Sequence, residues 1–222
     1  MNTIVFGATG MLGQGVLREC LLAADVDRVL TIGRSRTGRE HPKLREIAHA
    51  DLWHYESIRD QLRGFDACLF CLGVTSTGMT EADYERVTYG ITIAAAETLC
   101  RLNPQMTFVF VSGAGTDSSG RGRIMWARVK GKTENAIFQL PFKASYAFRP
   151  GAVQPMHGER SRTTAYRVLY VMTKPLLPLL RRLFPGQILT TEQFGRAMLT
   201  VVRDGAPKRV LESSDINDLA RA

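Results

Sequence analysis

The stretch Ile4-Val5-Phe6-Gly7-Ala8-Thr9-Gly10-Met11-Leu12-Gly13 constrains this chain more than any other. The apolar run Ile4 to Phe6 reads as a buried strand. It breaks into a turn with Gly-x-x-Gly-x-x-Gly spacing, and an amphipathic helix follows from about Leu12 to Leu22. Gly7 lets the chain leave the strand sharply. Gly10 has no side chain to hold the backbone away from a pyrophosphate, and Gly13 lets the helix lie close on the sheet. The helix start offers unpaired N–H donors and a partial positive charge, both suited to phosphate. Strand, glycine turn and helix in this order are the context in which such a motif binds a dinucleotide.

Strands and helices then alternate. Arg28 to Gly33, Leu44 to Ala50, Asp66 to Leu72, Met106 to Val111 and Ala144 to Phe148 read as further strands. Asp66 to Leu72 is nearly all apolar and so buried on both faces. A short helix is expected over Tyr55 to Arg63, and longer ones over Glu81 to Leu102, Ile124 to Leu140 and Thr190 to Asp204. The alternation predicts an α/β fold, a single Rossmann-type doubly wound parallel sheet with helices on both faces. Right-handed crossovers give the strand order 3-2-1-4-5-6, with the switch point beside the first strand. Val210-Leu211 reads as a short strand, and Ser213 or Ser214 as the cap of a terminal helix.

At 222 residues the chain supports one substantial core, so residues 1–222 are expected to form one domain. No apolar run is long enough to span a bilayer, and the N-terminus reads as a strand rather than a signal peptide. Four cysteines, Cys20, Cys68, Cys71 and Cys100, lack the density of a disulfide framework. Together these suggest a cytoplasmic protein. Cys68 and Cys71 form a Cys-x-x-Cys, but inside a strand residues three apart point to opposite faces, so they read as buried structural thiols. The net charge of +8 fits a basic cleft for an anionic cofactor plus a solvated basic surface. Aromatic and basic residues do not interleave as a nucleic-acid stacking platform would, so no nucleic-acid partner is expected. No metal site is expected either.

Candidate ligand-binding residues gather where the strands end. After the second strand comes Gly33-Arg34-Ser35-Arg36, with no acid at the place where NAD binders hold the ribose hydroxyls. Arginine there suits the 2′-phosphate of NADP, because its planar fork donates paired hydrogen bonds. Arg34 leads, with Arg36 and Arg39 behind it. Asp51, before Leu52, suits either an adenine amino group or the cap of the next helix. Leu72-Gly73-Val74 lets the backbone pass close to a cofactor. The loop Ser112-Gly113-Ala114-Gly115-Thr116-Asp117-Ser118-Ser119-Gly120 is rich in hydroxyls at the same edge, as a catalytic loop would be. Residues 154–190 form a substrate or lid segment in this reading. Within it, Tyr166 to Phe184 is apolar, interrupted by Pro175 and Pro178, and suits either a pocket lid or peripheral membrane contact.

Gly7-Ala8-Thr9-Gly10-Met11-Leu12-Gly13, Gly33-Arg34, Asp51-Leu52, Lys130-Gly131 with Glu134, and Arg149-Pro150-Gly151 resemble the short-chain dehydrogenase/reductase superfamily. The likeness is to its extended and atypical branch: epimerase/dehydratase-like, NmrA-like and Tat-interacting oxidoreductase-like NADPH-binding proteins. It extends to about Ala206. The resemblance implies NADP(H) as cofactor, held across Gly7, Thr9, Gly10, Met11, Leu12, Gly13, Arg34, Ser35, Asp51, Leu52, Leu72, Gly73, Val74, Lys130, Pro150, Gly151 and Val153. It implies catalytic roles for Ser112 and Lys130, with Ser118 and Ser119 as alternatives to Ser112. Active members carry Tyr-x-x-x-Lys on one helix face. Here Trp126 stands at the tyrosine position, and an indole N–H donates a hydrogen bond but shuttles no proton at ordinary pH. Tyr84, Tyr89 and Tyr166 are candidates to replace it. Thr88 stands where an asparagine is common. The resemblance thus leaves two functions open: an oxidoreductase acting on an unknown small molecule, or a non-catalytic NADP(H)-binding sensor or partner-binding regulator. It further implies a monomer, or a homodimer paired through the two long helices.

Overall fold

The computed structural model describes residues 1–159 and 188–222. The stretch Tyr166 to Phe184 lies outside the described residues, so both the lid and the membrane reading fall there.

The main sheet contains β1 (Asn2–Phe6), β2 (Arg28–Gly33), β3 (Leu44–Ala48), β4 (Ala67–Phe70), β5 (Thr107–Val111), β6 (Ala144–Arg149) and β9 (Val210–Glu212). Its order is β3-β2-β1-β4-β5-β6-β9, and every pairing is parallel. The expected order of the first six strands is present, and Val210–Glu212 adds a seventh beside β6. The helices are α1 (Met11–Leu22), α2 (Glu81–Glu85), α3 (Ile91–Leu102), α4 (Met125–Gln139), α5 (Thr191–Asp204) and α6 (Ser213–Leu219). A π-helical turn, Arg86–Gly90, joins α2 to α3, so the long helix expected from Glu81 to Leu102 is continuous but locally widened. Residues Glu56–Leu62 form a 3-10 helix.

Alternation along the strands builds two cores. Val5, Leu69 and Val109 face α1 and α5, where they meet Val16, Leu17, Phe194 and Met198. Ile4, Phe6, Cys68, Phe70, Phe108 and Phe110 face the other layer, with Ile91, Leu99 and Ile137. This is the period-two pattern of a sheet covered on both sides. Phe70 anchors the second core, its ring centroid 5.0 Å from that of Phe6 and 5.8 Å from that of Phe108. Cys68 lies in the second core and Cys71 packs against the first, so the pair faces opposite ways and both thiols are free. Burial pushes both thiol pKa values well up.

α1 and α5 cross with almost nothing between them. A Cβ on Gly15 would lie 2.7 Å from the Thr191 Cβ, and one on Gly195 would lie 2.7 Å from the Glu19 Cγ. Thr190 caps α5 as expected, through a capping box: its hydroxyl accepts from the Gln193 N–H, and Gln193 Oε1 accepts from the Thr190 N–H.

Two expectations need correction. The cap of α6 is Glu212, boxed with Asp215, and not Ser213 or Ser214; the Ser213 hydroxyl instead accepts from the Gly151 N–H at 2.8 Å. Asp51 does not cap Glu56–Leu62, whose N-cap is Tyr55; its carboxylate accepts from the Trp53 N–H and contacts His54 Nδ1. The ends of the 154–190 segment belong to the body: β7 (Ala152–Gln154) and β8 (Ile188–Thr190) pair in parallel as a second small sheet.

Candidate functional site

The site is a narrow cleft at the C-terminal edge of the sheet, where the strand order reverses beside β1. Gly7, Ala8 and Thr9 form one wall. Thr31 and Gly33 of β2, with Arg34, Ser35 and Thr37 after it, form the other, and Leu72 after β4 closes the floor. The structure thus brings together the glycine turn and the arginine-bearing loop that the sequence singled out separately.

Each glycine of the turn has a distinct reason. Gly7 has φ +74°, and a Cβ there would lie 2.6 Å from the Leu72 nitrogen. A Cβ on Gly13 would lie 2.1 Å from the Gly7 oxygen, so α1 sits on the turn itself. Gly10 is different: a Cβ there meets only the Gly7 oxygen, at 3.4 Å, and the rest of its surroundings are open. Gly10 is also the N-cap of α1, which has no side-chain cap and no acidic residue in its first turn, where Met11, Leu12 and Gly13 lie. An uncapped helix start beside an open glycine is a cradle for an anion.

The other predicted contacts divide. Arg34 and Ser35 are exposed at the cleft mouth. A Cβ on Gly73 would meet nothing within 4 Å, so the backbone there is approachable, and Val74 is exposed beside it. Leu52 is buried in the second core, which leaves its main chain alone to offer. Pro150 accepts from the Ala114 N–H at 3.0 Å, Gly151 is held by Ser213, and Val153 is buried within β7. Arg36 and Arg39 are exposed and do not line the cleft.

Lys130 projects from α4 to the end of β5. Its Nζ donates to the carbonyl oxygens of Val111 (3.2 Å) and Ser112 (3.3 Å) and stands 5.4 Å from the centroid of the Phe110 ring. Burial pulls its pKa down to about 8, against a smaller opposing effect of the Glu134 charge. Ser112 is turned inward: it is buried, and its hydroxyl lies 2.9 Å from that of Thr116, which in turn donates to the Gly113 carbonyl. Ser118 and Ser119 are occupied elsewhere, by Arg149 and Asp117. Trp126, one turn before Lys130, lies against the loop after β5: a Cβ on Gly113 would sit 3.7 Å from its ring. Tyr84 is buried, and burial raises its pKa. Tyr89 lies under Lys132, its ring centroid 4.8 Å from Nζ, which puts it on a different face of α4 from Lys130. Tyr166 lies outside the described residues.

The low Lys130 pKa has a sign. The unfolded chain holds this proton up to about pH 10.4, the ordinary lysine value, whereas the folded chain releases it near 8. Between these values the unfolded state binds more protons, so stability attributable to Lys130 rises with pH and is lowest below 8. Urea midpoints measured from pH 7 to 10 are expected to show a rise in the wild type that Lys130→Met lacks.

The sequence missed Glu46, Gly15 and Gly195, and placed Thr116 only as a member of the loop after β5. Thr116 is one more hydroxyl in a hydroxyl-rich loop, and Glu46 acts across a strand register that no local pattern reveals.

The chain is 32% identical over 164 residues to the protein FMP52-2, mitochondrial, of Scheffersomyces stipitis, an alignment that covers 72% of this chain and 69% of that one. The chain belongs to the FMP52 family. No protein-family model matches it. The expectation of a cytoplasmic protein is overturned here, because this relative and those from Candida albicans and Debaryomyces hansenii are named as mitochondrial. Among solved structures, the Bordetella bronchiseptica enzyme WbmF in complex with NAD+ superposes with a TM-score of 0.69 at 16% identity, covering 99% of this chain and 76% of that one. A short-chain dehydrogenase/reductase family oxidoreductase from Burkholderia thailandensis gives a TM-score of 0.66 at 16% identity, covering 97% and 92%. The fold of this FMP52-family chain is therefore the short-chain dehydrogenase/reductase fold that its motifs resemble. Among the described residues no helix is long and apolar enough to cross a membrane.

Proposed function

We propose that this chain binds NADP(H) in the cleft and is an oxidoreductase of the atypical short-chain dehydrogenase/reductase type, acting on a small carbonyl or alcohol. The observation that carries the reading is the cleft itself. The glycine turn that forms one wall runs on into an open Gly10 and an uncapped helix start, and on the other wall the first residue after β2 is Arg34, not an acid. The turn and the start of α1 would hold the pyrophosphate through main-chain N–H groups. Arg34 and Ser35 would hold the 2′-phosphate. Lys130 would hold the ribose next to the nicotinamide, with Gly73 and the main chain at 150–151 beside it. When bound, this cofactor supplies or accepts a hydride. The proton on the substrate oxygen then falls to water or to the Ser112 hydroxyl, since Trp126 carries no exchangeable acid at this pH.

The test is calorimetric titration with NADPH and NADH, on the wild type and on Arg34→Ala. NADPH is expected to bind more tightly than NADH, and Arg34→Ala to lose about tenfold in NADPH affinity while NADH changes little. If the wild type binds neither, the reading falls.

Trp126 favours a second reading, a non-catalytic NADP(H)-dependent sensor. A panel of carbonyl compounds separates the two. Turnover by the wild type removes the sensor. No turnover, with none gained by Trp126→Tyr, removes the oxidoreductase.

A further inference from the structure

One carboxylate beside the cleft has no part in the reading above. Glu46 stands on β3 directly across the ladder from Thr31 on β2. Its Oε2 accepts from the Thr31 hydroxyl at 3.0 Å and from the Thr37 N–H at 2.8 Å. Thr31 and Thr37 both line the cleft, and the chain between them carries Arg34 and Ser35. One carboxylate therefore ties Thr31, two residues before β2 ends, to Thr37 in the loop that follows. Gly38, at φ +74°, turns the chain just after Thr37. Burial pushes the Glu46 pKa up. Hydrogen bonds from the main chain and side chain of Thr37, the Thr31 hydroxyl and the Gly38 main chain outweigh it and hold the group below the usual glutamate range. The group is thus an anion at neutral pH, seated in donors of the loop itself.

We infer that Glu46 is a positioning residue for cofactor choice: by tying Thr31 to Thr37 it holds the 33–37 loop in the shape that lets Arg34 meet a 2′-phosphate. This rests on the NADP(H) reading of the cleft. The main-chain donors at 37 and 38 are spent on Glu46, so recognition of the 2′-phosphate falls to the exposed side chains before them. Arg34 and Ser35 lie on a surface loop, and a loop that must be ordered on binding weakens affinity. Glu46 does that ordering in advance. The carboxylate is not a ribose ligand, because the loop already occupies it. Its removal is felt only by a ligand that uses the loop.

The experiment is calorimetry with two fragments, 2′,5′-ADP and 5′-AMP, which differ only in the 2′-phosphate, on the wild type, Glu46→Ala and Glu46→Gln. The wild type is expected to prefer 2′,5′-ADP. Glu46→Ala is expected to lower that preference about tenfold, the loss typical of a hydrogen bond to a charged group, with 5′-AMP affinity unchanged within about twofold. Glu46→Gln keeps an oxygen that accepts from the Thr37 N–H and is expected to retain most of the preference. Should Glu46→Ala not fold, Thr31→Val removes one donor from the same carboxylate and is expected to lower the preference about threefold. An unchanged or increased preference in Glu46→Ala overturns the inference, as does an equal loss for both fragments. A wild type that binds neither fragment, or both equally, overturns instead the NADP(H) reading on which it rests.

Discussion

A Gly13→Ala variant is expected to lose about 3 kcal/mol or more of stability, the upper end of what overpacking costs. The added Cβ would lie 2.1 Å from the Gly7 oxygen, 2.7 Å from the Gly7 carbonyl carbon and 3.0 Å from the Ala8 Cα. All three are backbone atoms of the turn that β1 and α1 together fix, so no side chain can swing aside. Relief requires α1 to lift off the sheet, which opens the core around Val16 and Leu17. Against a typical total of about 5–15 kcal/mol, that is a large fraction. Gly10→Ala is the control. Its Cβ would meet only the Gly7 oxygen, at 3.4 Å, and its φ of −82° is open to any residue. Its stability in urea is expected within about 1 kcal/mol of wild type, while NADPH affinity is expected to drop because a methyl group at this position holds the main chain away from a pyrophosphate. Equal midpoints for Gly13→Ala and wild type would contradict the contact of α1 with the turn.

The second large effect is expected at Glu134. This carboxylate is fully buried, and Arg149 grips it with two hydrogen bonds, Nε to Oε1 at 3.0 Å and a terminal nitrogen to Oε2 at 2.5 Å. The same guanidinium reaches Ser118 and Glu212, so it joins α4, β6, the loop after β5 and the end of β9. Glu134→Ala leaves a buried guanidinium without its main counter-charge and is expected to cost about 3–5 kcal/mol. The double variant Glu134→Met, Arg149→Leu removes both charges and fills the space. It is expected to be more stable than Glu134→Ala alone, since desolvation offsets much of what a buried pair contributes. Chemical denaturation of Glu134→Met, of Arg149→Leu and of the double variant measures the coupling. A double variant that loses the sum of both single losses would show that the pair is not coupled.

β1, β2, β4, β5 and β6 were legible because each is a largely apolar run between turn residues, and their order followed from crossover handedness. The glycine turn was legible because Gly7, Gly10 and Gly13 perform separate tasks at fixed spacing. What escaped was non-local or too short. β7 and β8 have three residues each, too few to show a period. The π-helical turn at Arg86–Gly90 interrupts no hydrophobic pattern. Ser213 has the right residue type for a cap, but a main-chain N–H more than sixty positions earlier claims its hydroxyl, and Glu212 caps in its place. The cleft was legible in its parts: the sequence singled out Gly7 to Gly13 and Arg34. It did not reveal that Glu46 ties Thr31 to Thr37 around Arg34, because a strand register decides that contact.

The seam between Gly15 and Thr191, and between Gly195 and Glu19, has a mechanical meaning. Most helix pairs touch through side chains that can change rotamer and absorb a small shift. Here the two glycines let the helices meet with little side chain between them, Gly15 on the Thr191 main chain and Cβ and Gly195 on the Glu19 stem and the Gly15 oxygen, and close-packed matter transmits displacement. α1 and α5 therefore behave as one stiff beam, although about 170 residues separate them in sequence. The free end of that beam is the start of α1. The aim of the N–H groups at the start of α1 is thus set in part by how Thr191–Asp204, near the other end of the sequence, is seated.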